Sequence, residues 1–74
     1  MTTDDPTRIR KRSVNIAGHA TSVSMEDAFW QRLAAIAKAR SVSISALIRD
    51  VDATRTGNLS SALRVFVLDN AVPT

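Results

Sequence analysis

Polar and apolar residues alternate from residue 19 to residue 25, and the alternation gives way to helical spacing at Ser24. Successive side chains of an extended strand point to opposite faces. One face would hold Thr21, Val23 and Met25, and the other Ala20, Ser22 and Ser24. The pattern predicts a strand over about 19–25 that leads into a helix with almost no loop between them.

A weaker alternation precedes this strand. Val14 and Ile16 alternate with polar residues, and Ala17-Gly18 follows. If these two residues form a tight hairpin loop, three cross-strand pairs are expected: Ile16 with His19, Val14 with Thr21 and Arg12 with Val23. Ala-Gly is a poorer turn sequence than Asn-Gly, so a second strand and an extended arm over 11–16 both remain open.

Apolar residues at three- and four-residue spacing predict three helices, over about 25–40, 44–53 and 58–70. Ser24 begins a sequence that resembles a capping box, and Ser43 and Asn58 are suitable N-caps for the later helices. Gly57 is the expected left-handed position between the last two helices. Residues 1–9 are predicted to be a disordered tail and residues 10–72 a single domain.

Composition excludes several classes of function. The 74 residues contain no cysteine and one histidine, so disulfides, thiolate metal sites and a cysteine nucleophile are absent. No cofactor and no metal site are expected, and the carboxylates lie mainly at helix starts, where capping explains them. No apolar run has the roughly 20 residues of a membrane span. The interpretation is a cytoplasmic protein that is not an enzyme.

The positive charge is concentrated before the first helix. Ten Lys and Arg against seven Asp and Glu give a net charge of +3, which by itself indicates no particular partner. Between residues 8 and 25, however, four basic residues occur and no acidic one: Arg8, Arg10, Lys11 and Arg12. This cluster is either a solvated tail or a surface that attracts a polyanion.

The order of strand, helix, short turn and helix carries a resemblance. The run Thr21-Ser22-Val23-Ser24-Met25-Glu26-Asp27, with the apolar positions of the first helix and Val42-Ser43-Ile44-Ser45-Ala46-Leu47-Ile48-Arg49, resembles the ribbon-helix-helix family of DNA-binding proteins. It is similar to a bacterial subgroup of small proteins with this domain. The resemblance implies a mainly α fold with one short intermolecular antiparallel β-ribbon, a ribbon-helix-helix homodimer, here with an additional C-terminal helix.

The resemblance also implies site residues. Ala20, Ser22 and Ser24 would face the major groove of DNA, with Ser13 and Asn15 as further readers if the first strand joins the ribbon. Contacts to phosphates would come from Ser43, Ile44, Ser45, Arg10, Lys11 and Arg12. Ser41 stands where the family often has glycine, so it would adopt a left-handed conformation or turn differently. The dimer core would be formed by Val23, Met25, Phe29, Trp30, Leu33, Ile36, Leu47, Ile48 and Val51.

The expected function is sequence- or shape-dependent binding of double-stranded DNA by a small homodimeric transcriptional regulator. The third helix could offer an apolar face to a protein partner. Two other functions fit the same fold: an antitoxin of a toxin–antitoxin pair, and a protein–protein adaptor that keeps the dimer fold without binding DNA.

Overall fold

A computed structural model describes residues 5–70, which form a β-hairpin followed by three helices. Strands β1 (Ile9–Ile16) and β2 (His19–Glu26) are antiparallel. Helices α1 (Asp27–Ala39), α2 (Ile44–Thr54) and α3 (Leu59–Asp69) pack on one face of the hairpin. Residues 1–4 of the predicted tail and residues 71 and 72 of the predicted domain lie outside the described residues.

The two strands are joined by the tight turn that the sequence left open. Ala17 and Gly18 both have positive φ, 51° and 84°, as the twist of a two-residue hairpin requires. The register pairs Ile16 with His19, as expected for this turn, and continues to Ile9 opposite Glu26. Residues 11–16 are therefore a strand and not an arm.

The core lies between the inner face of the hairpin and the helices. Val23 and Met25 on β2 and Ile16 on β1 are buried against apolar side chains of all three helices. The core residues of the helices are Leu33, Ile36, Ala37, Leu47, Ile48, Leu59, Leu63 and Val67. Because this face is covered, the register of both strands is fixed, and the other face of the hairpin is left to solvent.

The first helix begins later than the sequence predicted. Its N-cap is Glu26, which makes no side-chain cap, and Ser24 belongs to β2, so the predicted capping box is wrong. The first N–H groups of the helix bind backbone carbonyls instead. Asp27 N–H donates to the Arg8 carbonyl at 2.9 Å, and Ala28 N–H donates to the Pro6 carbonyl at 3.0 Å. Residues 5–9, which the sequence assigned to the disordered tail, therefore have a defined conformation, and Ile9 begins β1.

The other helix ends follow the sequence closely. Ser43 Oγ accepts from the Ala46 N–H, and Asn58 Oδ1 from the Ser61 N–H, both at 3.0 Å. Ser41 has a φ of 57° and ends α1 in the left-handed conformation. Gly57 does not have a positive φ, so that prediction is wrong; its carbonyl instead accepts a hydrogen bond from Arg55.

Strand β2 pairs with β1 of the same chain. It pairs with β1 along all eight residues, whereas the sequence analysis expected residues 20–25 to pair with a second chain. The difference arises because the short left-handed turn brings β1 back beside β2 at almost no cost in loop entropy. The two-stranded ribbon is therefore present in a single chain.

Candidate nucleic-acid interface

One face of the hairpin is open to solvent, and we call it the outer ribbon face. In an antiparallel pair, residues opposite each other share a face, so the register assigns its members. They are Ile9, Lys11, Ser13 and Asn15 of β1 and Ala20, Ser22, Ser24 and Glu26 of β2. All are exposed except Ser24 and Glu26, which are half-buried. The sequence-predicted base-facing residues and further readers thus lie together.

Helix α3 closes part of the free edge of β2. Ser24 donates its N–H to Ser60 Oγ at 3.0 Å and accepts from Arg64 Nη2 at its carbonyl at 3.2 Å. Arg64 Nε also donates to Glu26 Oε1 at 2.9 Å. A backbone hydrogen bond within Glu26 and the bond from Arg64 hold the pKa of the Glu26 carboxyl below its usual value. The β2 edge is therefore occupied at Ser24 and free at Ala20 and Ser22.

The three basic residues of the cluster in β1 have different environments. Lys11 belongs to the outer ribbon face and is exposed. The Arg10 side chain is 52% exposed and lies 4.0 Å from Asp27 Oδ1. Arg12 lies on the inner face, donates to Asp27 Oδ1 at 3.2 Å and stacks on the Trp30 ring at 4.5 Å. By the register Arg10, opposite Met25, also lies on the inner side, so Lys11 is the member of the cluster in β1 that faces outward, while Arg12 is engaged within the fold.

The start of α2 is open. Ser43 and Ser45 are exposed and Ile44 is half-buried. Ser43 Oγ caps the Ala46 N–H, and no acidic residue occurs in the first turn. Free N–H groups and the positive end of the helix dipole at such a position attract anions. The geometry is that of an ordinary helix start capped by Ser43.

Most residues expected in a dimer core already lie in the core of one chain. Val23, Met25, Leu33, Ile36, Leu47 and Ile48 are each at most 4% exposed in the single chain, so a second subunit could bury almost nothing more of them. Phe29, Trp30 and Val51 are partly buried and pack against that core. These three are the members of the predicted set that retain surface for a partner.

Sequence reasoning missed the carboxylate that organises the hairpin and α1. Asp27 is only 7% exposed and lies beside Arg12, with Nη1 of Arg12 buried and without a hydrogen-bond partner. The charge of Asp27 was visible, but nothing in the spacing indicated that Arg12, fifteen residues earlier, would meet it. The role of Arg64 was also missed, because the contact joins residues 38 positions apart.

The outward side of α3 carries apolar residues, since Val65 is 57% and Leu68 73% exposed. The apolar face that helical spacing gives α3 lies in the core instead, through Leu59, Leu63 and Val67, and Val65 and Leu68 lie on the opposite side of the helix. A protein partner for α3 stays a prediction. Among residues 5–70, no helix is long and apolar enough to span a membrane. In the same range no cluster of His, Cys, Asp and Glu residues could hold a metal ion.

Comparisons with known proteins show which family the chain resembles in sequence and in structure. The solved structure of an uncharacterized protein from Bordetella pertussis Tohama I is similar, with a TM-score of 0.74 and 29% sequence identity over 90% of this chain. The match covers 58% of that other chain. A search of curated proteins found no match. The family model of the ribbon-helix-helix domain matches residues 9–71, which include both strands and all three helices. The chain therefore belongs to the ribbon-helix-helix domain family.

Proposed function

We propose that this protein binds double-stranded DNA through the outer ribbon face, as a small homodimeric transcriptional regulator. The observation that carries the proposal is the register of the hairpin. It brings Lys11, Ser13, Asn15, Ala20, Ser22 and Ser24 onto one polar face of a two-stranded ribbon whose other face is buried. The family consists mainly of DNA-binding regulators and antitoxins, which favours a nucleic acid as the ligand.

The dimensions and chemistry of the ribbon suit the major groove. Its two strands are about 4.8 Å apart, and the groove is about 12 Å wide, enough for a two-stranded ribbon. Small side chains at Ala20 and Ser22 let the backbone approach the base edges. Lys11 and Arg10 contribute attraction to phosphates, and the start of α2 at residues 43–45 binds a phosphate beside the groove.

The homodimer serves a different purpose from the one that the sequence indicated. Each chain already holds a complete ribbon, so a second chain is not needed to make one. Two hairpins related by a two-fold axis would instead occupy two half-sites. The partly buried apolar residues Phe29, Trp30 and Val51 are the surface that we assign to the subunit contact. Analytical ultracentrifugation measures the mass directly, and a folded 8.0 kDa monomer at binding concentrations would refute the dimer.

A salt titration tests DNA binding. Fluorescence anisotropy with a labelled mixed-sequence duplex is measured between about 50 and 200 mM salt, where each phosphate contact contributes a slope of about −0.9 in log K against log salt. The double variant Arg10→Gln and Lys11→Gln should reduce the slope by about two. The control removes the same charge away from the ribbon, with Arg32→Gln and Arg55→Gln, and should keep the slope. Absence of binding at the lower salt concentration refutes the proposed function.

A further inference from the structure

Asn15 has its side-chain amide fixed by the turn that it precedes. The Gly18 N–H donates to Asn15 Oδ1 at 3.1 Å. Because a backbone N–H requires an acceptor, the amide oxygen must face the turn, and the amide nitrogen then points away from it. Asn15 is exposed, and Ala20, its cross-strand neighbour, has only a methyl group. The side chain therefore presents two N–H donors at the outer ribbon face.

The Glu26 carboxylate, the other strong acceptor on this face, is also hydrogen-bonded within the fold. Glu26 accepts from Arg64 Nε at 2.9 Å and is half-buried. Its carboxylate is therefore held toward α3 by a charge-assisted hydrogen bond. Among the described residues of the outer ribbon face, Asn15 and Glu26 are the only ones with an amide or carboxylate oxygen. Asn15 Oδ1 and Glu26 Oε1 both accept hydrogen bonds within the fold.

The remaining groups on the face are mostly donors. Lys11 has three N–H donors and no acceptor. The three serines can donate or accept, and Ala20 offers a methyl group alone. In the major groove, guanine is the base that presents two acceptors, N7 and O6. Adenine is read by an asparagine that uses both its donor and its acceptor, and cytosine requires an acceptor, which on this face the serine hydroxyls supply but neither Lys11 nor the Asn15 N–H groups can.

We infer that Lys11 and Asn15 make the outer ribbon face selective for guanine, a specificity that rests on the proposed DNA binding and names its base class. The two residues lie four positions apart on the same face of β1, which places their Cα atoms about 13 Å apart. Base pairs are stacked about 3.4 Å apart. When β1 follows the groove, the two guanines lie about three to four base pairs apart.

Binding selection from a random duplex library, followed by substitution of single guanines, tests the inference. The selected duplex is synthesised with 7-deazaguanine, which lacks the N7 acceptor, at one guanine at a time. For the natural protein, replacement at either of two guanines that lie three to four base pairs apart within a half-site should weaken binding about tenfold. The same replacement at other guanines should leave affinity unchanged.

The variant Asn15→Asp assigns one of these guanines to its residue. The new carboxylate keeps an acceptor for the Gly18 N–H but loses the N–H donors. Within each half-site, it should abolish the 7-deazaguanine effect at one guanine and retain it at the other. Gln31→Glu, the same amide-to-carboxylate change at an exposed position of α1, controls for added negative charge, which weakens all duplexes alike and leaves the affinity ratio unchanged. Circular dichroism verifies that both variants are folded.

The outcomes distinguish failure of guanine selectivity from failure of the proposed DNA binding on which it rests. Binding to duplex DNA with no loss at any 7-deazaguanine overturns guanine selectivity and leaves the proposed function in place. A 7-deazaguanine effect that persists in folded Asn15→Asp at both guanines also overturns the assignment. Absence of duplex binding by the natural protein at low salt removes the proposed function, and the inference with it.

Discussion

The contact between Arg12 and Asp27 should contribute more to stability than any other ion pair among residues 5–70. Asp27 is 7% exposed and starts α1, whereas Arg12 lies on the inner face of β1 with its side chain 23% exposed. We consider Asp27→Asn, which keeps the shape and removes the charge. The change leaves the Arg12 guanidinium half-buried without a carboxylate, while Nη1 of Arg12 already lacks a partner.

The expected cost follows from the contacts that are lost. A hydrogen bond to a charged group contributes about 1.5–3 kcal/mol, and a negative charge in the first turn of a helix adds about 0.3–1 kcal/mol. Water can reach part of Arg12, and its stacking on Trp30 at 4.5 Å persists, so the lower part of the range applies. We expect a loss of about 2 kcal/mol in the free energy of unfolding, or about 8 to 16 °C in Tm for a domain of this size.

Urea unfolding followed by the fluorescence of Trp30, the single tryptophan, measures this loss. Natural protein and variant are compared at equal chain concentration, because association shifts apparent stability. Asp52→Asn is the matched control: it breaks the exposed pair with Arg55 at 2.6 Å, which should contribute less than about 1 kcal/mol. Equal effects of the two substitutions would refute the argument. So would additive effects of Asp27→Asn and Arg12→Met, because residues in direct contact should couple.

Three further predictions concern local features. Ser43→Ala should lower stability by about 1 kcal/mol through loss of the cap on Ala46, whereas Ser45→Ala should change thermal stability little; equal melting temperatures for the two variants would contradict the capping role. Ser41→Gly should raise the melting temperature by a few degrees, since Ser41 has a φ of 57° that glycine adopts without strain; a lower melting temperature would contradict this. The lowered pKa of Glu26 means that its contribution to stability is present above the ordinary glutamate pKa and is lost as the pH falls through the folded-state value. Arg64→Met should therefore flatten the acid side of the stability profile below about pH 4.5, and an unchanged profile would contradict the contact.

The local elements were determined by the sequence alone. Alternation fixed the strand before α1, apolar spacing fixed the three helices, and Ser43 and Asn58 are the caps that their side-chain chemistry predicts. The left-handed conformation of Ser41 was one of two alternatives that the resemblance to the family implied. These features depend on neighbours within a few positions, so short-range physics decides them.

The tertiary structure decided which groups meet. Only the folded chain shows that β2 pairs with β1, that Arg12 turns inward to Asp27, and that Arg64 closes the edge at Ser24. Backbone carbonyls of residues 6 and 8 replaced the expected capping serine of α1. Apart from the hairpin, each of these contacts joins residues at least 15 positions apart, and their strength depends on burial that no local pattern encodes. Hence the sequence predicted that Ala20, Ser22 and Ser24 share a face, while the fold brought β1 beside them and determined which hydrogen-bonding groups of the outer ribbon face remain free.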